Sequence, residues 1–184
     1  MAEIKVLALV GSLRAASLNR NIAEVAVDVA PDGVVVTVFE GLADLPFYNE
    51  EIDNVMTDAP PLAAVDALRA AAADADAALV VTPEYNGSYP AVIKNAIDWL
   101  SRPFGDGALK GKPIAVIGGS FGQYGGVWAH DDTRKGFGIA GAQVVETIKL
   151  SVPFRTLDGK APAEHAELVE NVRDVVGKLV AEVS

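Results

Sequence analysis

Five short apolar runs, separated by helix-like stretches, constrain the fold of this chain more than any other feature. They cover residues 4–10, 34–39, 77–81, 113–118 and 142–148. The first, third and fourth runs show little polar alternation, which is typical of strands buried on both faces of a sheet. Because strands that alternate with helices are joined by right-handed crossovers, the pattern predicts a mostly parallel sheet covered by helices on both faces.

The stretches between the runs carry the expected helix signals. The first one begins after Ser17, a residue type favoured at helix N-caps, and places Leu18, Ile22, Val25, Ala26 and Val29 on one face. Pro61 suits the first turn of the second helix, and Pro103 ends the third. The remaining helices are predicted over residues 61–75, 90–102, 127–137 and 163–183.

Composition narrows the function. The chain has 184 residues, which fits one domain over 1–184, and a formal net charge of −10. That charge argues against nucleic acid and anionic membranes as partners. No cysteine is present, so thiolate metal sites and cysteine nucleophiles are excluded and redox chemistry requires a bound cofactor. The first apolar run is too short to cross a membrane, and we expect a cytoplasmic protein.

The predicted topology indicates where a ligand would bind. In open α/β sheets, ligands bind beyond the carboxyl ends of the strands, where the strand order reverses. The flavodoxin-like order 2-1-3-4-5 makes strands 1, 3 and 4 neighbours in a three-layer α/β/α sandwich. The loops that leave these strands are the three most distinctive of the sequence: the first loop (residues 11–20), the second loop (82–90) and the third loop (118–126).

The first loop, GSLRAASLNR, has the chemistry of a phosphate site. A helix N-terminus offers unpaired N–H groups and a positive dipole end. Ser12 and Ser17 add hydroxyls, Asn19 adds an amide, and Arg14 adds a planar guanidinium fork. The alternative is a strand–turn–helix connection with a capping serine and a solvated arginine. The loop contains neither G-x-G-x-x-G nor a P-loop motif.

The second and third loops could line a flat ligand. In TPEYNGSYP, Gly87 permits close backbone approach, and Tyr85 and Tyr89 could flank a planar ring. The third loop, GGSFGQYGG, has five glycines, which also permit close contact. An ordinary connection and a flexible surface loop are the respective alternatives.

Taken together, these segments resemble the NAD(P)H-dependent FMN reductase family of flavodoxin-like proteins, which includes bacterial quinone, chromate and azo-dye reductases. The matching residues are Gly11-Ser12-Leu13-Arg14 with Ser17 and Asn19; Leu45-Pro46-Phe47-Tyr48-Asn49; Thr82-Pro83-Glu84-Tyr85-Asn86 with Pro90, Lys94, Asn95, Asp98 and Trp99; and Gly118-Gly119-Ser120 leading to Gly125, Gly126 and Trp128. The resemblance weakens after residue 150.

The resemblance implies noncovalent FMN, with NADPH or NADH as co-substrate and a quinone or similar small molecule as acceptor. It implies that the phosphate is held by Ser12, Arg14, Ser17 and Asn19, and that Leu13 also belongs to the cofactor-binding residues. It implies that the isoalloxazine ring is lined by Pro83, Glu84, Tyr85, Asn86 and Gly87, and closed on its other side by Gly119, Ser120 and Gly122. It also implies a homodimer or homotetramer. Because the cofactor carries the chemistry, no catalytic side chain and no metal site are expected.

Four points stay open in the sequence. One departure from the family pattern, Thr133-Arg134-Lys135-Gly136-Phe137, puts the packing of the fourth helix in question. Gly118-x-Ser120-x-Gly122, followed by Asp158 and His165, also fits the residue order of a serine hydrolase. A flavodoxin-like electron carrier would suit the acidic charge. The sequence distinguishes neither NADPH from NADH nor one acceptor from another.

Overall fold

The computed structural model describes residues 3–183 and contains a five-stranded parallel sheet. The strands are β1 (Ile4–Val10), β2 (Val34–Val38), β3 (Ala77–Val81), β4 (Pro113–Ser120) and β5 (Gln143–Pro153). Their order is β2-β1-β3-β4-β5, which confirms the predicted flavodoxin-like topology. β4 and β5 run two and five residues beyond the predicted ends at 118 and 148, because Gly118 to Ser120 continue to pair with Ser151 to Pro153.

Five helices connect the strands: α1 (Leu18–Asp28), α2 (Ala63–Asp74), α3 (Ala91–Leu100), α4 (Val127–Ile139) and α5 (Ala166–Val180). The Ser17 hydroxyl accepts the N–H of Arg20, so the predicted N-cap is confirmed. The prediction for Pro61 is wrong, because Leu62 keeps an extended backbone and α2 begins only at Ala63. α5 begins at Ala166, later than predicted, because the His165 ring acts as its N-cap and accepts the N–H of Leu168.

The two faces of the sheet build two separate cores. Successive residues of β1 point to opposite faces, so Val6, Ala8 and Val10 pack with α1 and α5. Leu7 and Leu9 pack with α2, α3 and Phe137 of α4 on the other face. All five residues of β3 are buried, as expected for a central parallel strand.

The unusual segment of α4 does not interrupt the helix. The pairing of β4 with β5 shifts register between Ile114 and Val116. The buried Arg134 guanidinium donates there to the carbonyl oxygens of Val116, at 2.8 Å, and Ile148, at 3.4 Å. Gly136 allows Ile97 of α3 to approach the helix, since a Cβ at that position would lie 3.0 Å from its side chain. The departure from the family pattern therefore has a local packing explanation.

The long irregular connection over residues 41–60 is fixed by side chains of α3. The Asn95 amide donates to the Pro46 carbonyl at 2.9 Å, and its oxygen accepts the N–H of Tyr48 at 2.9 Å. The Trp99 indole N–H donates to the same Pro46 carbonyl at 2.8 Å, and Tyr48 packs edge-on against the indole ring.

A buried ion pair completes this attachment. Asp53, which is fully buried, accepts two hydrogen bonds of 2.9 Å from the Arg69 guanidinium of α2. Arg69 also donates to the Trp99 carbonyl and lies over its ring, 5.5 Å from the centroid. We call residues 45–53 the pinned segment, because side chains of α2 and α3 hydrogen-bond to Pro46, Tyr48 and Asp53 within it.

Candidate functional site

The three loops predicted to bind a ligand meet at the carboxyl edge of the sheet. They enclose a cavity of about 170 Å³, which we call the cleft. Its lining includes nine of the thirteen residues predicted to bind the cofactor: Ser12, Arg14, Ser17, Asn19, Pro83, Glu84, Tyr85, Gly119 and Ser120. Leu13 borders a neighbouring groove, and Asn86, Gly87 and Gly122 do not line the cleft itself.

The first wall of the cleft presents an unpaired cation beside a helix N-terminus. Arg14 is exposed and makes no hydrogen bond or ion pair with any other residue of the 3–183 range. Arg20, one turn into α1, is engaged instead by Glu40 and Glu24. Hydrogen bonding to Glu40 raises the pKa of the Arg20 guanidinium and lowers the pKa of the Glu40 carboxyl. Arg14 is therefore the arginine of this loop that is available to an anionic ligand.

Asn19 joins the first and third loops. Its amide donates to the Gly119 carbonyl at 3.0 Å, and its oxygen accepts the Gly119 N–H at 2.8 Å. Asn19 is buried, and both polar atoms of its side chain are engaged by one peptide group. In this conformation the side chain fixes the wall of the cleft, while its predicted contact with a phosphate stays a prediction.

The second wall contains a tight turn, and the carboxylate of Glu84, just before this turn, caps the N-terminus of α4. Tyr85 and Ser88 exchange two backbone hydrogen bonds, of 2.9 and 3.1 Å, around Asn86 and Gly87. Both central residues have positive φ, 53° and 76°, as Asn-Gly turns of this kind require. Glu84 turns towards α4, where its Oε2 accepts the N–H groups of Trp128 and Ala129 at 3.2 and 3.3 Å.

The third wall contains a buried hydroxyl without a partner. The Oγ atom of Ser120 is buried and has no hydrogen-bond partner among the residues described. Phe121 and Phe154 extend this wall in an edge-to-face pair with ring centroids 5.4 Å apart. The sequence analysis missed Phe154 because it ended β5 too early. The signal was present, since a fifth parallel strand ends at the same edge of the sheet.

Directly behind the second wall, α4 carries a fully buried histidine. The Nε2 atom of His130 lies 3.0 Å from the Thr82 carbonyl oxygen, and its Nδ1 atom lies 2.7 Å from the Ser151 hydroxyl. Burial lowers the pKa of His130 to about 4, and the charge of Arg134 acts in the same direction. The ring is therefore neutral at pH 7.

The arrangement does not assemble a serine-hydrolase site. His165 uses its ring nitrogen to cap α5, and Ser120 Oγ has no partner. Within residues 3–183, no group of three metal-ligating side chains is assembled, and no helix is both long and apolar enough to cross a bilayer.

A second, larger groove, of about 400 Å³, lies between α3 and α4. It borders neither the unpaired arginine nor the orphaned hydroxyl, so the cleft remains the better candidate for the chemical site.

The residues of the cleft fit FMN. An unpaired guanidinium at a helix start suits a phosphate monoester, and the orphaned Ser120 hydroxyl offers a hydrogen bond that nothing else in the fold uses. Two exposed aromatic side chains, Tyr85 and Phe121, also line the cleft. Fold and cleft together define the class of flavin-binding proteins with a flavodoxin-like fold.

Comparison with known proteins narrows this class to a family. The family model for NADPH-dependent FMN reductases matches residues 4–156. The chain belongs to this family, which confirms the predicted cofactor and the prediction of an NAD(P)H-dependent oxidoreductase.

Individual relatives agree with the family assignment. A 2-hydroxy-1,4-benzoquinone reductase from Burkholderia sp is 41% identical over 131 residues, which cover 71% of this chain and 68% of the relative. A quinone reductase from Pseudomonas putida is 43% identical over 127 residues, covering 69% and 66%. The structure of a flavoenzyme NAD(P)H:(acceptor) oxidoreductase from Paracoccus denitrificans, 33% identical, matches with a TM-score of 0.82 over 98% of this chain and 97% of that one.

Proposed function

We propose that this protein is an FMN-dependent quinone reductase that uses NAD(P)H as its reductant. The observation that carries this proposal is the cleft itself, where Arg14 and the Ser120 hydroxyl have no partner within the described part of the chain. The names of the relatives from Burkholderia and Pseudomonas support a quinone as acceptor. The packing of both helix layers on one sheet supports a single FMN-binding domain.

Each wall of the cleft has a separate task in this proposal. The start of α1, with Ser12, Arg14 and Ser17, holds the phosphate through N–H, hydroxyl and guanidinium donors. Pro83, Glu84 and Tyr85 line one side of the ring site, and Gly119 and Ser120 line the other. Leu13, Asn86, Gly87 and Gly122 border these walls, and we assign them to the edge of the site.

The protein contributes binding and orientation. FMN, when bound, supplies the redox chemistry of the family. The exposed rings of Tyr85 and Phe121, which line the cleft, give a planar nicotinamide or quinone an apolar surface. Holding two planar reactants in register lowers the entropic part of the barrier. No described side chain has to act as an acid or a base.

We also propose that the protein works as a homodimer or homotetramer in the cytoplasm. Phe104 and Ile139 line the groove between α3 and α4 and are 75% and 69% exposed. Apolar side chains of this size on one surface favour contact with another protein. Light scattering of the purified protein tests this, and a monomeric mass would contradict it.

The first experiment is a visible absorption spectrum of the protein after FMN has been added and the sample desalted. We expect a retained flavin band that bleaches when NADPH or NADH is added without oxygen, and that returns when a benzoquinone follows. Steady oxidation of NADPH with the quinone, without any partner protein, separates an enzyme from an electron carrier. Absence of a retained band, together with no FMN-dependent turnover, would contradict the proposal.

A further inference from the structure

The buried imidazole of His130 connects three elements behind the cleft. It lies on α4, is fully buried, and meets the Thr82 carbonyl on one side and the Ser151 hydroxyl of β5 on the other. A buried polar ring is costly unless its nitrogens are hydrogen-bonded. Both nitrogens of this ring are satisfied, and each by a different element.

The partners determine where the ring carries its proton. A carbonyl oxygen only accepts, so Nε2 bears the hydrogen and donates to Thr82 at 3.0 Å. In the neutral ring Nδ1 then accepts, and the Ser151 hydroxyl donates to it at 2.7 Å. The direction of both hydrogen bonds is thereby fixed.

The Thr82 carbonyl stands at the root of the second loop. Thr82 follows the last residue of β3, and its N–H completes the sheet by donating to the Ile117 carbonyl. Pro83, the next residue, has no N–H and lines the cleft. The hydrogen bond from His130 is therefore the contact that orients this peptide group, which leads directly into Pro83 and Glu84.

Ser151, the second hydrogen-bond partner of His130, lies beside the third loop. Ser151 pairs with Gly118 in the sheet, at the point where the third loop begins. Gly125, at the end of the third loop, passes so close to the Ser151 backbone that a Cβ there would lie 2.6 Å from it. The His130 ring thus spans the roots of the second and third loops.

We propose that His130 is a positioning residue, which holds the Thr82–Pro83 peptide at a fixed place relative to α4 and β5 and so sets the shape of the ring site. His130 does not line the cleft. The inference rests on the proposed function, because it assigns the second loop to the flavin ring.

The charges around the ring agree with this role. Arg134 and Asp131, both on α4, act on it in opposite directions, while its two partners, Thr82 of the second loop and Ser151 of β5, are uncharged. Glu84 approaches the same end of α4 but directs its carboxylate to the Trp128 and Ala129 N–H groups. The neutral form of the ring, with one donor and one acceptor, is the form that the two partners require.

The test uses two substitutions of the histidine and a control on the same helix. His130→Leu removes both hydrogen bonds, while His130→Gln keeps an amide that can donate to Thr82. Thr133→Val is the control, because Thr133 is also buried in α4 but its hydroxyl bonds only to Ala129 of the same helix. Affinity for FMN is measured by quenching of flavin fluorescence, and unfolding by denaturant is measured beside it.

We expect His130→Leu to weaken FMN binding roughly tenfold, as the loss of one or two buried hydrogen bonds implies. We expect His130→Gln to restore part of that loss and Thr133→Val to bind FMN as the unsubstituted protein does. A further substitution, Ser151→Ala, should weaken binding in the presence of His130 and have no further effect in His130→Leu, which lacks both hydrogen bonds. This coupling is a property of the shared ring that independent packing defects would not show.

Nitrogen NMR of the FMN-loaded protein provides a readout that is separate from affinity. The His130 ring should carry its proton on Nε2 and stay neutral between pH 5.5 and pH 8. A proton on Nδ1, or titration near the ordinary value, would overturn the proposal, as would FMN affinity in His130→Gln and Ser151→Ala equal to that of Thr133→Val. If His130→Leu does not fold, these two milder substitutions still decide. Failure of the unsubstituted protein to bind FMN is a different result and would refute the proposed function itself.

Discussion

The pinned segment and the cleft use similar residues in opposite ways. In the pinned segment the Asp53 carboxylate is matched by Arg69, and the Pro46 carbonyl is matched by the side chains of Asn95 and Trp99. In the cleft, neither Arg14 nor the Ser120 hydroxyl has a hydrogen-bond partner among residues 3–183. The pinned segment satisfies these polar groups within the fold, whereas the cleft leaves hydrogen-bond donors available to a ligand.

The difference shows that a family motif can have two kinds of physical origin. Leu45–Asn49 and the residues from Asn95 to Trp99 also match the family pattern. There, however, the side chains of Asn95 and Trp99 bond to backbone groups of Pro46 and Tyr48. Those motifs preserve a junction between a loop and α3. Arg14 and Ser120 contribute nothing comparable to the fold. Substitutions should therefore separate the two regions, with stability changing in one and FMN affinity in the other.

The largest expected effect is the loss of the buried ion pair in the pinned segment. Asp53→Ala leaves the guanidinium of Arg69, which is mostly buried, without its carboxylate, and we expect a loss of about 3–5 kcal/mol in the free energy of unfolding. Chemical denaturation measures this loss.

Asp106→Ala is the control for this substitution, since its pair with Lys110 is long and exposed, and its removal should be barely measurable. FMN affinity of the folded Asp53→Ala protein should stay within about twofold of the unsubstituted value. A much larger loss of affinity would mean that the two regions are coupled.

The second-largest expected effect is a loss of stability at acidic pH that is caused by the buried ring of His130. The pKa of His130 is lowered from 6.5 in an unfolded chain to about 4 in the fold. Between these values the unfolded chain binds a proton that the folded protein does not, so stability falls as the pH drops from 6.5 towards 4. The loss from this one residue is about 3 kcal/mol, and it is absent above pH 6.5.

The contribution of His130 is isolated by comparison with His130→Gln, which has no group that titrates there. Unfolding measured at several pH values should give two curves that diverge below pH 6.5, because only the unsubstituted protein loses this term. Curves that stay parallel down to pH 4 would show that the ring does not remain neutral.

A smaller effect, on FMN binding alone, is expected when Arg14 is substituted. Arg14→Ala should weaken FMN binding by about 10- to 100-fold, the value of one or two charge-assisted hydrogen bonds to a phosphate. Stability should not change, because the side chain makes no contact of this kind within the described fold. Fluorescence titration measures the affinity.

Two further variants sharpen this prediction. Arg14→Lys keeps the charge without the planar fork. Its affinity for FMN should lie between those of Arg14→Ala and the unsubstituted protein. Arg173→Ala removes an exposed arginine of α5 and should leave the affinity unchanged. Equal binding by Arg14→Ala and the unsubstituted protein would remove the first loop from the phosphate site.

Sequence patterns determined most of the fold, because the five apolar runs and the capped α1 depend on local periodicity. They indicated which loops form the cleft, but not the hydrogen bonds that connect these loops. The bonds of Asn19 to Gly119, of Glu84 to the start of α4 and of His130 to Thr82 join residues far apart in the chain. No spacing in the sequence encodes such pairs. The same limitation hid the partners of Asn95, which appear only when the sheet is assembled.

The smallest effect distinguishes the hydroxyls of two serines. Ser101 donates its hydroxyl to the Asp98 carbonyl at 3.0 Å, whereas the buried Oγ atom of Ser120 has no partner among residues 3–183. Ser101→Ala should therefore lower the free energy of unfolding by about 1 kcal/mol, and Ser120→Ala should leave it unchanged or raise it slightly, because removing an unsatisfied buried hydroxyl relieves a desolvation cost. FMN titration should reverse the ranking, with roughly three- to tenfold weaker binding for Ser120→Ala alone. If both variants lose stability equally and bind FMN equally, the orphaned hydroxyl has a partner within the fold, and the contrast between cleft and pinned segment does not extend to Ser120.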